Sequence, residues 1–395
     1  MTASPLPLVA ILDGSVAITG AVTAAIRTAT FLEKEARFLM ILPQGGQVPA
    51  ERLPANMAMT TIPLPSLRKS AASILGYPVA ALRTAQRLRA LLHEHGAACL
   101  IVNDFYLLPG PLVRPLGWPG RIVTMVRIDT RRFGLPGRLW LTAARRWSDR
   151  LVAVSRFIEE AASLPPGSVL YDPAPEVRTG TAGEARPLRL LFVGNYIRGK
   201  GQDAAIRAFH RIASDFPEAE LHFHGGDMGL PKNQEYRSDL ELAARDGPGA
   251  GRIHFFGFAP DTAPLLAQAR ASLTLSHSES FSFTCQEASA HGVAVIATRC
   301  GGPEEIVEDG VTGFLVAIDD DSAIAERMAR LLSKPALARA MGSSGAELMA
   351  ERFGLAPWRE GMREVLGLPQ KPPMTDQAAS ERKSCTSRGA SFASE

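Results

Sequence analysis

Short, continuous apolar runs recur along the chain, and each gives way to a stretch with helical periodicity. In the first half they are LVAIL, RFLMIL, ACLIVND, RIVTMV and RLVAVS; in the second, LRLLFVG, AELHFHG, RIHFFG, ASLTLS, VAVIAT and TGFLV. Runs of this kind, separated by helices, predict parallel sheets buried on both faces. Residues 172–187, DPAPEVRTGTAGEARP, interrupt the alternation with Pro, Gly and small polar residues, as an inter-domain linker does. The pattern predicts two doubly wound α/β domains facing a cleft: residues 1–172, a linker at 173–187, and residues 188–350. RFGLAPWREGMREVLGL predicts a last helix within 351–368. Beyond it, residues 369–395 lose periodicity and aliphatic content, which predicts a disordered tail.

Composition supports this picture: at 395 residues, 46% hydrophobic and 21% charged, the chain can bury two domain cores. No apolar run approaches the roughly 18 residues of a membrane span. Residues 1–12 enter a strand pattern without the basic n-region of a signal peptide, so a cytoplasmic protein is expected. Cys99, Cys285, Cys300 and Cys385 have neither C-x-x-C spacing nor disulfide density, which fits a reducing compartment. The net charge of +3 conceals an excess of eight positive charges over residues 1–186 and of five negative charges over the rest. Much of the basic charge lies in residues 66–95 and 131–150, where Arg and Lys interleave with Leu, Trp and Ala at helical spacing. The plainer reading is a solvated outer face; the alternative is a face for an anionic membrane surface. Nucleic acid is not expected, because no recognisable binding motif accompanies the basic stripe.

The candidate chemistry lies in the second half. LRLLFVGNYIRGKGQDAAIRAFHRI reads as a strand, a glycine-rich turn and a helix, which presents backbone N–H groups and a helix dipole to an anion. Gly194 to Lys200 fits the first seven positions of a P-loop, but Gly201 stands where the magnesium-binding Ser or Thr belongs. The dinucleotide fingerprint lacks its third glycine unless Ala205 substitutes. Farther on, ASLTLS predicts a strand, HSESFS the loop beyond its carboxyl end, and FTCQEASAHG a helix capped at Gly292. Ligands bind in that crevice of an open α/β sheet. Glu279 on the loop and Glu287 on the helix can each accept two hydrogen bonds from a vicinal diol, while the first N–H groups of the helix, at Ser282, Phe283 and Thr284, suit a diphosphate. His222 and His224 share a strand face but have no third ligand in the sequence, so a structural role is expected and no metal. His277 and His291 flank the glutamates and read either as surface residues or as phosphate contacts. Gly301 and Gly302 read either as a turn or as a place where backbone approaches a sugar.

From Leu188 to about Val316 these motifs resemble, in order and spacing, the C-terminal domain of family 4 glycosyltransferases, retaining enzymes of the GT-B fold. The residues that carry the resemblance are FVGNYIRGKG, HFHGGD, IHFFGF, the paired glutamates, HGVAVIATRCGG and PEEIVEDGVTGFLV. The resemblance implies two Rossmann-like domains around a central cleft, with a C-terminal helix returning towards the first. It further implies hexosyl transfer from a nucleotide-sugar donor to a glycan or lipid-linked acceptor, with no metal and no resident cofactor. Sugar leaves and acceptor enters on one face, and a donor phosphate oxygen helps to deprotonate the acceptor. Carried onto this chain, Lys200 lies on the diphosphate and Glu279 near the transferred sugar as the catalytic pair. Glu287 holds the ribose, with Gly20, Gly194, Asn195, Arg198, Phe258, Ser282, Phe283 and Thr284 completing the donor side.

Several positions depart from the family pattern. Asn195 replaces an arginine before the lysine, so one diphosphate cation is missing unless Arg198 reaches in, and Ser282 replaces a glycine. In the first half, DGSVAITGAVTAAIRTATFLEKEA aligns with the family's glycine-rich loop and first helix but keeps only Gly20 of a glycine pair. TMVRIDT puts Arg127 and Asp129 on the acceptor side where the family often carries a histidine. VSRFIEE matches the hinge-side segment, and Asp172 stands where an Asn is typical. These changes keep open a second reading, a catalytically silent GT-B protein that binds a nucleotide sugar or a partner. A lipid-linked acceptor would place the protein peripherally on the inner membrane face.

Overall fold

The computed structural model describes residues 5–65, 70–175 and 186–368. Most of the expected linker and the expected disordered tail lie outside them, as do the first residues of the basic segment 66–95.

The first sheet contains β1 (Leu8–Leu12), β2 (Arg37–Pro43), β3 (Met57–Ile62), β4 (Ala97–Val102), β5 (Arg121–Val126) and β6 (Arg150–Ala153), in the order β3-β2-β1-β4-β5-β6. The second contains β7 (Arg189–Val193), β8 (Glu220–His224), β9 (Ile253–Phe256), β10 (Ala271–Thr274), β11 (Ala294–Thr298) and β12 (Gly313–Val316), in the order β9-β8-β7-β10-β11-β12. Every pairing is parallel, and the two sheets share one topology. Helices cover both faces, which is why LVAIL of β1 is buried at all five positions. β3 escapes the apolar-run pattern: it is an edge strand in which only Met57 and Ile62 are buried, while Ala58, Met59 and Thr61 face solvent.

Strand order reverses between β1 and β4 in one domain and between β7 and β10 in the other, and the loops at the carboxyl ends there are the ligand-binding places of such sheets. Here the two sets of loops face each other. Tyr171, Phe281 and Phe353 pack mutually at ring-centroid distances of 5.0–5.4 Å where the chain passes between domains. Glu305 of the second domain accepts from Arg156 N and Phe157 N, at the start of the helix Arg156–Ala161, and from the Tyr171 hydroxyl. This acidic residue of the PEEIVEDG motif therefore fastens the domains together.

The last helix, Leu355–Leu366, packs back on the first domain. Arg363 holds Glu35 through two bonds of 2.5 and 2.6 Å, Arg359 donates to the Phe31 carbonyl, and Arg121 donates to the Val365 carbonyl. Trp358 meets Phe31 edge-on. Among the described residues, no helix is long and apolar enough to cross a membrane.

Candidate active site

A cleft of about 730 Å³ opens between the facing loops. Its second-domain wall begins at the turn after β7, where Gly194 and Asn195 line the space. Close backbone approaches shape this turn. A Cβ at Gly225 would lie 2.0 Å from the Gly194 carbonyl oxygen, and one at Gly201 would lie 2.1 Å from the Leu275 carbonyl oxygen. Gly201 also has φ +85°, so the Ser or Thr that a P-loop requires has no room there. Asn195 points its side-chain oxygen at Gly226 N, 3.1 Å away.

The helix Phe283–Ala290 starts at the cleft and lines it with Phe283, Thr284 and Glu287. Its cap is Ser282, whose hydroxyl accepts from Cys285 N and whose backbone holds φ +83° and ψ +91°. Glycine adopts such a conformation readily, which gives a physical reason for the family's glycine at this place. Glu287 is mostly buried and doubly bonded: Arg27 Nη2 donates to Oε1 at 2.5 Å, and the Thr262 hydroxyl donates to Oε2 at 3.0 Å. Arg27 comes from the first domain, on the helix Gly20–Phe31. Gly20 itself begins that helix and faces the Phe283 ring. Phe258 lines the far end of the cleft, with the Arg52 guanidinium 5.2 Å from its ring centroid.

Lys200 and Glu279 are not among the residues that line the cleft. Lys200 Nζ donates to Glu279 Oε1 at 2.6 Å, and the Ser276 hydroxyl donates to the same oxygen at 2.6 Å. The Glu279 backbone is held by Gly302 N and bridges to Gly301. The two glycines serve this loop packing: a Cβ on Gly302 would lie 2.3 Å from Phe281 Cα.

Three expected site residues turn elsewhere. Arg198 pairs with Asp239 at 2.5 Å and lies over the Tyr236 ring, on an exposed surface. Arg127 is buried, donating to Asn103 at 2.8 Å and pairing with Asp172 at 2.9 Å. Asp129 caps a 3₁₀ turn and holds Arg131, whose hydrogen bonds keep its carboxyl below the usual carboxylate range. His277 turns to Asp319, whereas His291 lines the cleft. His222, which lacked a third ligand in the sequence, gains one in space. Glu220, His222 and His254 bring ligand atoms within 4.8 Å of one another, although Arg189 already holds the Glu220 carboxylate. Cys99, Cys285 and Cys300 are buried thiols, raised above the usual range by desolvation.

Sequence reasoning missed Arg27, Thr262 and Gln286. Arg27 lies seven residues after Gly20, two helical turns along the same face, and that spacing was the available signal. Gln286 is fully buried between the paired glutamates and donates to the Asp172 carbonyl at 2.7 Å, tying the helix to the inter-domain segment.

Residues 178–348 match the family model described as "Glycosyl transferases group 1". N-acetyl-alpha-D-glucosaminyl L-malate synthase of Bacillus anthracis is 31% identical over 164 residues, 42% of this chain and 41% of that protein. A GDP-mannose-dependent alpha-(1-6)-phosphatidylinositol monomannoside mannosyltransferase of Mycolicibacterium smegmatis is 28% identical over 293 residues, 66% of this chain and 74% of that one. The chain thus spans less than half the length of the first of these relatives. Among solved structures, Anabaena HepE in complex with UDP-glucose superposes with a TM-score of 0.75 at 19% identity, covering 91% of this chain and 99% of that one. With two matching parallel sheets about a cleft and a returning C-terminal helix, the chain has the GT-B fold, and its second domain, within residues 178–348, is similar to the group 1 glycosyl transferases.

Proposed function

We propose that the protein is a retaining glycosyltransferase that takes a sugar from a nucleotide-sugar donor held in the inter-domain cleft. One observation carries the reading: Glu287 lines the cleft one helical turn from a helix start that also lines it, and Lys200 and Glu279 adjoin that start. Glu287 would accept from the ribose hydroxyls. The first-turn N–H groups of Phe283 and Thr284 have no intrahelical acceptor and, with the helix dipole, would meet the diphosphate. Phe258, 52% exposed at the cleft's end, offers an apolar face to a base. Lys200 and Glu279 form an ion pair at 2.6 Å. A donor would separate their roles, Lys200 compensating charge on the departing diphosphate and Glu279 accepting from hydroxyls of the sugar. HepE is described in complex with UDP-glucose and the Mycolicibacterium relative as GDP-mannose-dependent, which supports a nucleoside-diphosphate sugar as the donor class here.

For the acceptor, the reading is a glycan or lipid-linked molecule, with the first domain facing an anionic membrane. Leu75, Val79 and Leu82 are exposed at i, i+4 and i+7 of the helix Ala71–Glu94, beside exposed Arg83, Arg87 and Arg89. Leu135 and Leu139 are exposed on the basic helix Gly134–Trp147, which meets the first through Tyr77 and Trp140. An amphipathic basic surface suits an anionic interface.

Release of nucleoside diphosphate from one member of a panel of UDP- and GDP-sugars, with acceptor lipid extract present, tests the reading. Lys200→Ala should reduce turnover by a factor of about 100 or more while the folded protein keeps its melting temperature within a few degrees. Near-normal turnover in that variant would remove the lysine from the mechanism. Saturable donor binding without turnover in the wild type would favour the second reading, a donor-binding protein, for which the replacement of a basic residue by Asn195 is the motive.

A further inference from the structure

On its own domain, the diphosphate region of the proposed donor site has Lys200 as its cation and no second one among the expected site residues. Asn195 stands where the family resemblance implies an arginine and spends its side-chain oxygen on Gly226 N, while Arg198 is turned to Asp239. The opposite wall of the cleft carries a basic group in its place. Arg27 projects from the helix Gly20–Phe31 of the first domain, and its guanidinium lies 4.9 Å from the centroid of the Phe283 ring. Phe283 is the first residue of the helix that starts at the cleft, and Phe283 and Thr284 both line it. Nη2 of Arg27 is bonded to Glu287, and Nη1 is buried without a hydrogen-bond partner. A buried charged donor without an acceptor is costly and uncommon in folded proteins. On the wall of a cleft, a ligand oxygen is the natural acceptor.

We propose that Arg27 is the second cation of the donor site, its Nη1 donating to an oxygen of the nucleotide diphosphate while Nη2 holds Glu287 towards the ribose. The proposal rests on the donor reading above. Arg27 belongs to one domain and Glu287, Lys200 and the helix start to the other, so a nucleoside diphosphate bridges the domains. A nucleoside alone, held through Glu287 and Phe258, depends on Arg27 less, because the Thr262 hydroxyl still holds Glu287 when Arg27 is gone. The planar guanidinium suits a diphosphate, since two of its edges can be engaged at once, one by carboxylate and one by phosphate.

Calorimetric titration of the full chain with UDP and GDP, and with uridine and guanosine, tests this in the wild type and in Arg27→Ala, Arg27→Lys and Glu287→Ala. Arg27→Ala should weaken the diphosphate by about tenfold or more, the loss of one charge-assisted hydrogen bond. It should change nucleoside affinity less than threefold or so, and make diphosphate binding less sensitive to salt. Arg27→Lys should recover part of the diphosphate affinity, and should Arg27→Ala fail to fold by circular dichroism, it carries the comparison with wild type. Glu287→Ala should weaken nucleoside and diphosphate alike. Unchanged diphosphate affinity in Arg27→Ala, or an equal loss for nucleoside and diphosphate, overturns the proposal and leaves Arg27 a brace for Glu287. If the wild type binds none of the four probes, the donor reading itself fails, and the proposal with it.

Discussion

Ser282 holds a backbone conformation, φ +83° and ψ +91°, that a side chain opposes. Such strain in a non-glycine residue costs on the order of 1–3 kcal/mol, and the capping bond lost with the hydroxyl is a long one, 3.4 Å. After the added chain entropy of glycine is subtracted, Ser282→Gly should stabilise the protein by about 1 kcal/mol. Urea unfolding measures it, and a loss of stability would mean that the hydroxyl contributes more than the strain removes. A second residue-scale effect concerns Asp104, which lies fully buried beyond the end of β4. Burial pushes its carboxyl from the ordinary 3.8 up to about 7, against hydrogen bonds from Arg127 N and Phe105 N that favour the charge. The native state then holds this proton more tightly than the unfolded chain does. Its contribution to stability is complete below about pH 4 and is lost as pH rises through 7. Asp104→Asn, neutral at every pH, should flatten the fall in unfolding free energy between pH 5 and pH 8; a slope equal to that of the wild type would show the carboxyl to be ionised throughout. Arg127 and Asp172 make the limits of single-residue reading plain. Each is visible in the sequence as a departure from the family pattern, yet they are the two halves of one buried ion pair.

Among elements, the glycine-rich turn and the paired-glutamate helix were legible because their signals are local: a strand ending in Gly194, a run of small residues, a cap and a helical stretch. What the glycines do was not. Gly201, Gly225 and Gly302 are required by backbone from elsewhere in the chain coming within 2.0–2.3 Å of a would-be Cβ, a demand no local pattern encodes. β3 was missed because an edge strand with solvent on much of its surface needs no apolar run. The last helix was legible from its periodicity, and its partner was not. Arg363 reaches Glu35 across 328 positions of sequence, through two short bonds in a mostly covered setting. Arg363→Ala should destabilise the protein by about 2 kcal/mol, since hydrogen bonds between charged groups are the stronger kind. Urea unfolding followed by far-ultraviolet circular dichroism reads the effect; an unchanged midpoint would assign the docking to Trp358, in the first turn of that helix, and its apolar neighbours alone.

For the whole molecule, the charge asymmetry has a direction: the domain that carries the positive excess also carries exposed leucines between its arginines. If that surface meets lipid, the protein should sediment with vesicles containing anionic phosphatidylglycerol and be released by salt. Attraction near a bilayer amounts to about 1 kcal/mol per basic residue and decays within a Debye length. Replacing Arg83, Arg87 and Arg89 together by Ser should reduce that sedimentation strongly and leave UDP and GDP affinity as it was, because none of the three lines the cleft. Failure to sediment even at low salt would return these residues to a solvated helix face.

The sequence by itself determined the two-domain parallel α/β architecture, since alternating apolar runs and helical periods admit few other packings, and through its family resemblance it grouped Gly194, Lys200, Glu279 and Glu287, which lie in the loops and helices that follow β7 and β10. Only the tertiary structure decided which charges meet. Glu287 finds Arg27 at a separation of 260 residues, Arg198 turns from the cleft to Asp239, and Arg127 closes on Asp172. Periodicity records how each element buries its own face. The pairing of side chains across a cleft depends on how two finished domains are set against each other, and for that the chain carries no local signal.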